Sequence, residues 1–169
     1  MPKLHALELV PDDEGQLLVR RDWQALHDAG LPSQLDHRGS SNAPHVTVVS
    51  AVALPPEAID GARTGLGQVL PVRARASGLL LLGGDRVTVA RAVDIDDDVV
   101  RRGLAVRDLV PDRQHVGWLA HVTLARRVPR TEVQRAVAVL GHADVVLTLT
   151  ELRHWDPELG QVTTVAADG

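Results

Sequence analysis

Apolar positions along the chain recur with two periods, and the switches between them mark the predicted elements. Leu4–Val10 (LHALELV) alternates and predicts a strand. Across Gly15–Gly30 (GQLLVRRDWQALHDAG) apolar residues return at helical spacing, and the final Gly supplies a stop. Ser33–Pro44 is polar and predicts a loop. HVTVVSAVAL, from His45, predicts a strand, and Pro55–Leu70 a helix opened by proline. VRARASGLLLL and RVTVARAV flank Gly83-Gly84-Asp85, the signal of a hairpin. Asp96–Val110 predicts a helix with acids in its first turn, where the macrodipole favours them. After the loop PDRQHVGW come a strand (HVTLARRV), a helix (TEVQRAVAVL) and a last hairpin, DVVLTLTELRHW with QVTTVA.

The order is the same after each His-Val-Thr: strand, helix, strand, tight turn, strand. The two histidines, His45 and His121, are 76 residues apart. This pattern predicts a duplicated α+β unit whose copies bury their sheets against each other about a pseudo-twofold axis. The expected fold has two antiparallel sheets with flanking helices around a central groove, with the motif strands facing each other across it. It is one bilobal domain, 1–169, with lobes near 1–83 and 84–169; exchange of strands between them stays open.

Composition narrows the chemistry. A chain of 169 residues with 44% hydrophobic residues can bury a core, but it holds no Phe, no Tyr and only three Trp, so that core must be aliphatic. The lack of Cys excludes disulfides and thiolate metal sites. A formal net charge of -4 argues against a coat for long nucleic acid, though not against a small phosphorylated ligand. Of 18 basic residues only Lys3 is lysine. Arginine suits bidentate phosphate binding, but a compositional bias gives the same usage. No signal peptide and no bilayer-length apolar run is read, so a cytoplasmic protein without a membrane partner is expected.

On a strand, residues i and i+2 share a face. His45 with Thr47, and His121 with Thr123, are therefore expected to present two imidazoles and two hydroxyls to one groove. Near-neutral imidazoles can act as acid and base in phosphodiester cleavage. Hydroxyls can hydrogen-bond the oxygens where charge builds. No metal site is expected, since a zinc site needs a third ligand. The six other histidines, His5, His27, His37, His115, His142 and His154, sit in no ligand spacing and read mostly as surface residues. Gly83-Gly84 lies between strands, so it reads as a turn and not a phosphate loop.

With HVTV at 45–48 and HVTL at 121–124, the sequence resembles the 2H phosphoesterases. Within them it is similar to the 2'-5' RNA ligase-like and RNA 2',3'-cyclic phosphodiesterase group; Ala125-Arg126 extends the second motif as that group does. The resemblance implies His45 and His121 as catalytic pair, with His45 as acid and His121 as base. It also implies Thr47, Thr123 and Arg126 as phosphate binders. Strict alternation would turn Arg126 away from His121 unless the strand bulges or ends near Ala125. Trp118 is either a stacking platform for a base or a core residue, and Asp36, His37 and Arg38 are either rim residues or a solvated loop. The implied activity is metal-independent opening of 2',3'-cyclic phosphates, with no cofactor and with 2'-5' ligation as its incidental reverse. The partner is a small nucleotide or RNA end, and the chain reads as a monomer. The acidic charge and scarce aromatics lean toward a small substrate. The rivals are a phosphodiesterase for a non-RNA cyclic phosphate or a 2'-5' oligonucleotide, and a nucleotide-binding module with little turnover.

Overall fold

The computed structural model describes residues 1–169. Seven strands and four helices follow one another along the chain. They are β1 (His5–Pro11), α1 (Asp13–Asp28), β2 (Val46–Ala51), α2 (Pro56–Gly65), β3 (Val72–Gly83), β4 (Arg86–Ile95), α3 (Asp97–Asp108), β5 (His121–Pro129), α4 (Val133–Leu140), β6 (Val145–Asp156) and β7 (Gln161–Ala167). The predicted elements are all present, with ends shifted by a few residues. Capping explains one of the shifts: the Asp12 carboxylate accepts from Gly15 N–H, so α1 starts at Asp13 and not at Gly15.

The strands pair in the order β1-β2-β5-β4-β3-β6-β7, with β1 also pairing β6. The long strand β6 explains both. Its first part, Val145–Leu149, lies beside β3, and its second part lies between β1 and β7. The result is two four-stranded antiparallel sheets, β5-β4-β3-β6 and β2-β1-β6-β7, joined through β6. Each sheet draws strands from both halves of the sequence. The core is aliphatic apart from Trp23, which is 1% exposed in α1. No helix is long and apolar enough to cross a membrane.

The two motif strands do not face each other across the groove. They meet edge to edge at a single antiparallel pair, Val46↔Val122, and then splay apart into different sheets. Antiparallel order about that pair sets His45 toward Thr123 and Thr47 toward His121. The strands separate because each has a fuller ladder on its other edge, β2 with β1 and β5 with β4.

Both outer ladders break at the same place. On β1, Glu8 pairs Thr47 and Leu7 pairs Val49, leaving Val48 as an extra residue. On β4, Ala90 pairs Thr123 and Val89 pairs Ala125, leaving Leu124 extra. Each motif strand thus carries a β-bulge one residue after its threonine. Burial shows the consequence, with two adjacent residues inside each time: Val48 and Val49, then Leu124 and Ala125.

Candidate active site

The bulges reset the alternation. The position five residues after each motif histidine returns to the histidine's side of the sheet, and that position holds Ser50 in β2 and Arg126 in β5. A cleft of about 1120 Å³ is lined by His45, Thr47 and Ser50 on one side and by His121, Thr123 and Arg126 on the other. The condition the sequence set for Arg126, a bulge near Ala125, is met one residue earlier.

The two histidines are held by the same device. Nδ1 of His45 lies 2.8 Å from the Ala43 carbonyl, and Nδ1 of His121 lies 2.6 Å from that of Leu119, in each case two residues back. A carbonyl only accepts, so Nδ1 carries a proton on both rings and Nε2 is left for chemistry, as a base when neutral and as an acid when protonated. The bulge backbone is braced alike on both sides. Trp118 Nε1 donates to Thr47 O at 2.9 Å, and Trp23 Nε1 donates to Thr123 O at 3.1 Å. Trp118 packs on the core with its ring over Gly103, as the core reading has it, and it also lines the cleft.

Around these matched strands the two halves differ. Glu8 of β1 is buried, takes a hydrogen bond of 2.7 Å from Arg153 Nε, and sets its other oxygen 3.4 Å from Nε2 of His45. His121 has no carboxylate partner. Arg107 of α3 is 5% exposed and in no ion pair. It donates to Val48 O at 2.6 Å, to Gly117 O at 2.5 Å and to His115 O. Burial pushes this guanidinium below its ordinary pKa, yet an arginine remains charged. It therefore fastens the 113–118 loop to the β2 bulge and adds an uncompensated positive charge to the cleft wall.

Sequence reasoning missed Glu8, Arg153, Arg107 and Trp155, all of which line the cleft. A signal existed for Glu8, the one acid inside the mostly apolar strand β1. The His37–Arg38 loop also lines the cleft, as does His115. Of the six other histidines, read as mostly surface residues, four are exposed and two are not. His5 and His154 are half-buried and stacked, with ring centroids 5.3 Å apart and Nδ1 to Nε2 at 3.1 Å. His5, Asp156 and Glu158 bring one possible metal-ligand atom each within 4.8 Å of one another, but alternation along β1 puts this group on the face away from the cleft.

No family model and no curated protein matches the sequence. Solved structures do match, over almost the whole length. Escherichia coli LigT complexed with NADP+ covers 96% of this chain and 93% of its own, at 12% identity and TM-score 0.55. A crystal structure described only as a phosphoesterase covers 96% and 94%, at 10% identity and TM-score 0.51. The fold is that of the 2H phosphoesterases. Kluyveromyces marxianus Usb1 with uridine monophosphate covers 98% of each chain, at 16% identity and TM-score 0.50. The α+β class and paired antiparallel sheets expected from the sequence are those of the 2H fold.

Proposed function

We propose that the chain is a cytoplasmic phosphodiesterase that opens 2',3'-cyclic phosphates on RNA ends or nucleotides, giving 2'-phosphomonoesters by paired-histidine catalysis without a metal. The observation that carries this reading is the twofold repetition of one device: an imidazole fixed through Nδ1 by the carbonyl two residues back, with Nε2 turned into a shared cleft. Water attacks phosphorus as Nε2 of His121 takes its proton. The bond from phosphorus to the 3'-oxygen breaks, and Nε2–H of His45 protonates the leaving oxygen. Thr47, Thr123 and Arg126 hydrogen-bond the non-bridging oxygens as their charge rises.

Two features support the assignment of roles and substrate. A proton on Nε2 of His45 has the Glu8 carboxylate 3.4 Å away, which suits the acid; His121 lacks such a partner, which suits the base. The cleft lining holds four arginines against one glutamate, a formal charge of +3 in a chain whose net charge is -4. That excess favours an anion. The structural relatives seen with uridine monophosphate and NADP+ agree with a nucleotide as ligand.

The test is a turnover screen of 2',3'-cyclic nucleotides with EDTA present. Hydrolysis to the 2'-phosphate that survives the chelator is expected. Loss in EDTA with rescue by zinc or manganese would overturn the scheme.

A further inference from the structure

Beyond Arg126 the chain departs from a regular strand a second time. Val89 of β4 pairs Ala125, but Val87 pairs Val128, so β5 spends three steps where β4 spends two. Arg127 absorbs the excess at φ 60 and is the only non-glycine residue of the chain with positive φ. That conformation strains a residue with a Cβ, and glycine would adopt it freely. The geometry leaves Arg126 and Arg127 both exposed side by side, where an ordinary strand would send them to opposite faces. On β4, Arg86 reaches the same spot and donates to Arg127 O at 3.3 Å. None of the three is in an ion pair. Together they line a basin of about 500 Å³ that has no hydrophobic lining. The basin runs into the cleft through His37, Thr88 and Arg126. Its one acid, Asp36, is already held by Ser33 N–H and His27.

Three like charges, none in an ion pair and facing one acid that is already held, with one of the three on strained backbone, fit an anion that arrives with the ligand. We infer that the substrate carries a second phosphate, seated on Arg86 and Arg127, beside the phosphate that reacts between the histidines. The ligand is then an oligonucleotide end or a nucleotide with a pyrophosphate, and not a cyclic mononucleotide alone. The place of the reacting phosphate rests on the function proposed above; the basin itself does not.

The experiment compares kcat/KM for uridine 2',3'-cyclic phosphate, for a uridine dinucleotide ending in the same cyclic phosphate, and for the cyclic mononucleotide bearing a 5'-diphosphate. One of the two larger substrates should exceed the first by about tenfold, which is the effect of a charge-assisted contact, and the gain should shrink with added salt. Which one gains identifies the source of the second phosphate. Arg127→Gly keeps the backbone conformation without strain, and Arg86→Gln keeps a donor. The double variant should abolish the gain and leave the mononucleotide within about twofold. Equal kcat/KM for all three substrates, or a gain that survives the double variant, would overturn the inference while the proposed function stood. If no cyclic phosphate is opened, calorimetry with the corresponding 2'-phosphates decides. Tighter binding of the larger ones that depends on Arg86 and Arg127 keeps the basin and removes the catalytic reading. Equal binding removes both.

Discussion

The two halves of the cleft are one backbone device furnished in two ways. Each has the histidine, the threonine, the bulge, the carbonyl latch on Nδ1 and an indole on the threonine carbonyl. Register makes the neighbours comparable. Glu8 stands opposite Thr47 as Ala90 stands opposite Thr123, and Arg153 stands opposite Glu8 as Leu80 stands opposite Ala90. The β2 half therefore holds a buried ion pair where the β5 half holds an alanine and a leucine. Two residues further along the same strand pairs, Trp155 lines one half and Leu82 the other. The backbone alone would let a substrate bind in either sense. The side chains behind it differ, because only His45 has a carboxylate beside it, and on the proposed function that difference sets the sense of binding.

The largest effect is expected at the matched residues. His45→Ala and His121→Ala should each lower kcat/KM on a cyclic nucleotide by roughly 10²–10⁴, and the double variant should lose far less than the product. A nitrophenyl phosphodiester needs little acid assistance. Its turnover should largely return in His45→Ala and not in His121→Ala; the reverse would exchange the two roles. Near wild-type turnover in both variants would leave only a binding module.

Next comes Arg107, which braces the β2 half alone. Arg107→Leu leaves the carbonyls of Val48, His115 and Gly117 without their donor, so urea denaturation should show a loss of about 3 kcal/mol or more. A loss below about 1 kcal/mol would show that the loop closes without this clamp. Glu8→Gln should then cost about tenfold on a cyclic nucleotide and much less on the nitrophenyl ester, since the carboxylate acts through the acid. Equal losses on both substrates would mean that Glu8 serves only to hold Arg153. Thr47→Val and Thr123→Val should each cost about tenfold or less. Similar losses would put the phosphate astride the pseudo-axis, and unequal ones would put it in one half.

The smallest effect lies away from the cleft. Burial first, and the charge of His5 second, hold His154 below its ordinary value of 6.5. The unfolded chain therefore takes up this proton before the folded one does. Stability should fall as pH drops below 6.5, until the lower folded value is passed. His154→Gln should flatten that slope in denaturation measured between about pH 7 and pH 5. An unchanged slope would show that the stacked pair does not set the acid sensitivity.

The strands, the helices and the paired motif could be read from the sequence because each is a local pattern. The polar partner of His45 could not, because Glu8 and Arg153 are 145 residues apart and meet only when β1 pairs β6. The motif strands were expected to face each other across the groove. They touch edge to edge, since duplication foretells matched units but not which strand edges join them. The side on which Arg126 emerges depends on one extra residue in β5. Its trace in the sequence is the pair of adjacent buried residues after each threonine, Val48-Val49 and Leu124-Ala125, where alternation would allow one.

The indoles that brace the bulges also give the molecule an optical property. With no Tyr and no Phe, its near-ultraviolet absorption and emission come from three tryptophans. Two of them donate to the backbone of the motif strands, and the third, Trp155, lines the cleft. No tryptophan emits from elsewhere in the fold. A ligand entering the cleft, or a strand losing its bulge, therefore changes the surroundings of a large share of the emitters at once, and intrinsic fluorescence reports the state of the site without any added label.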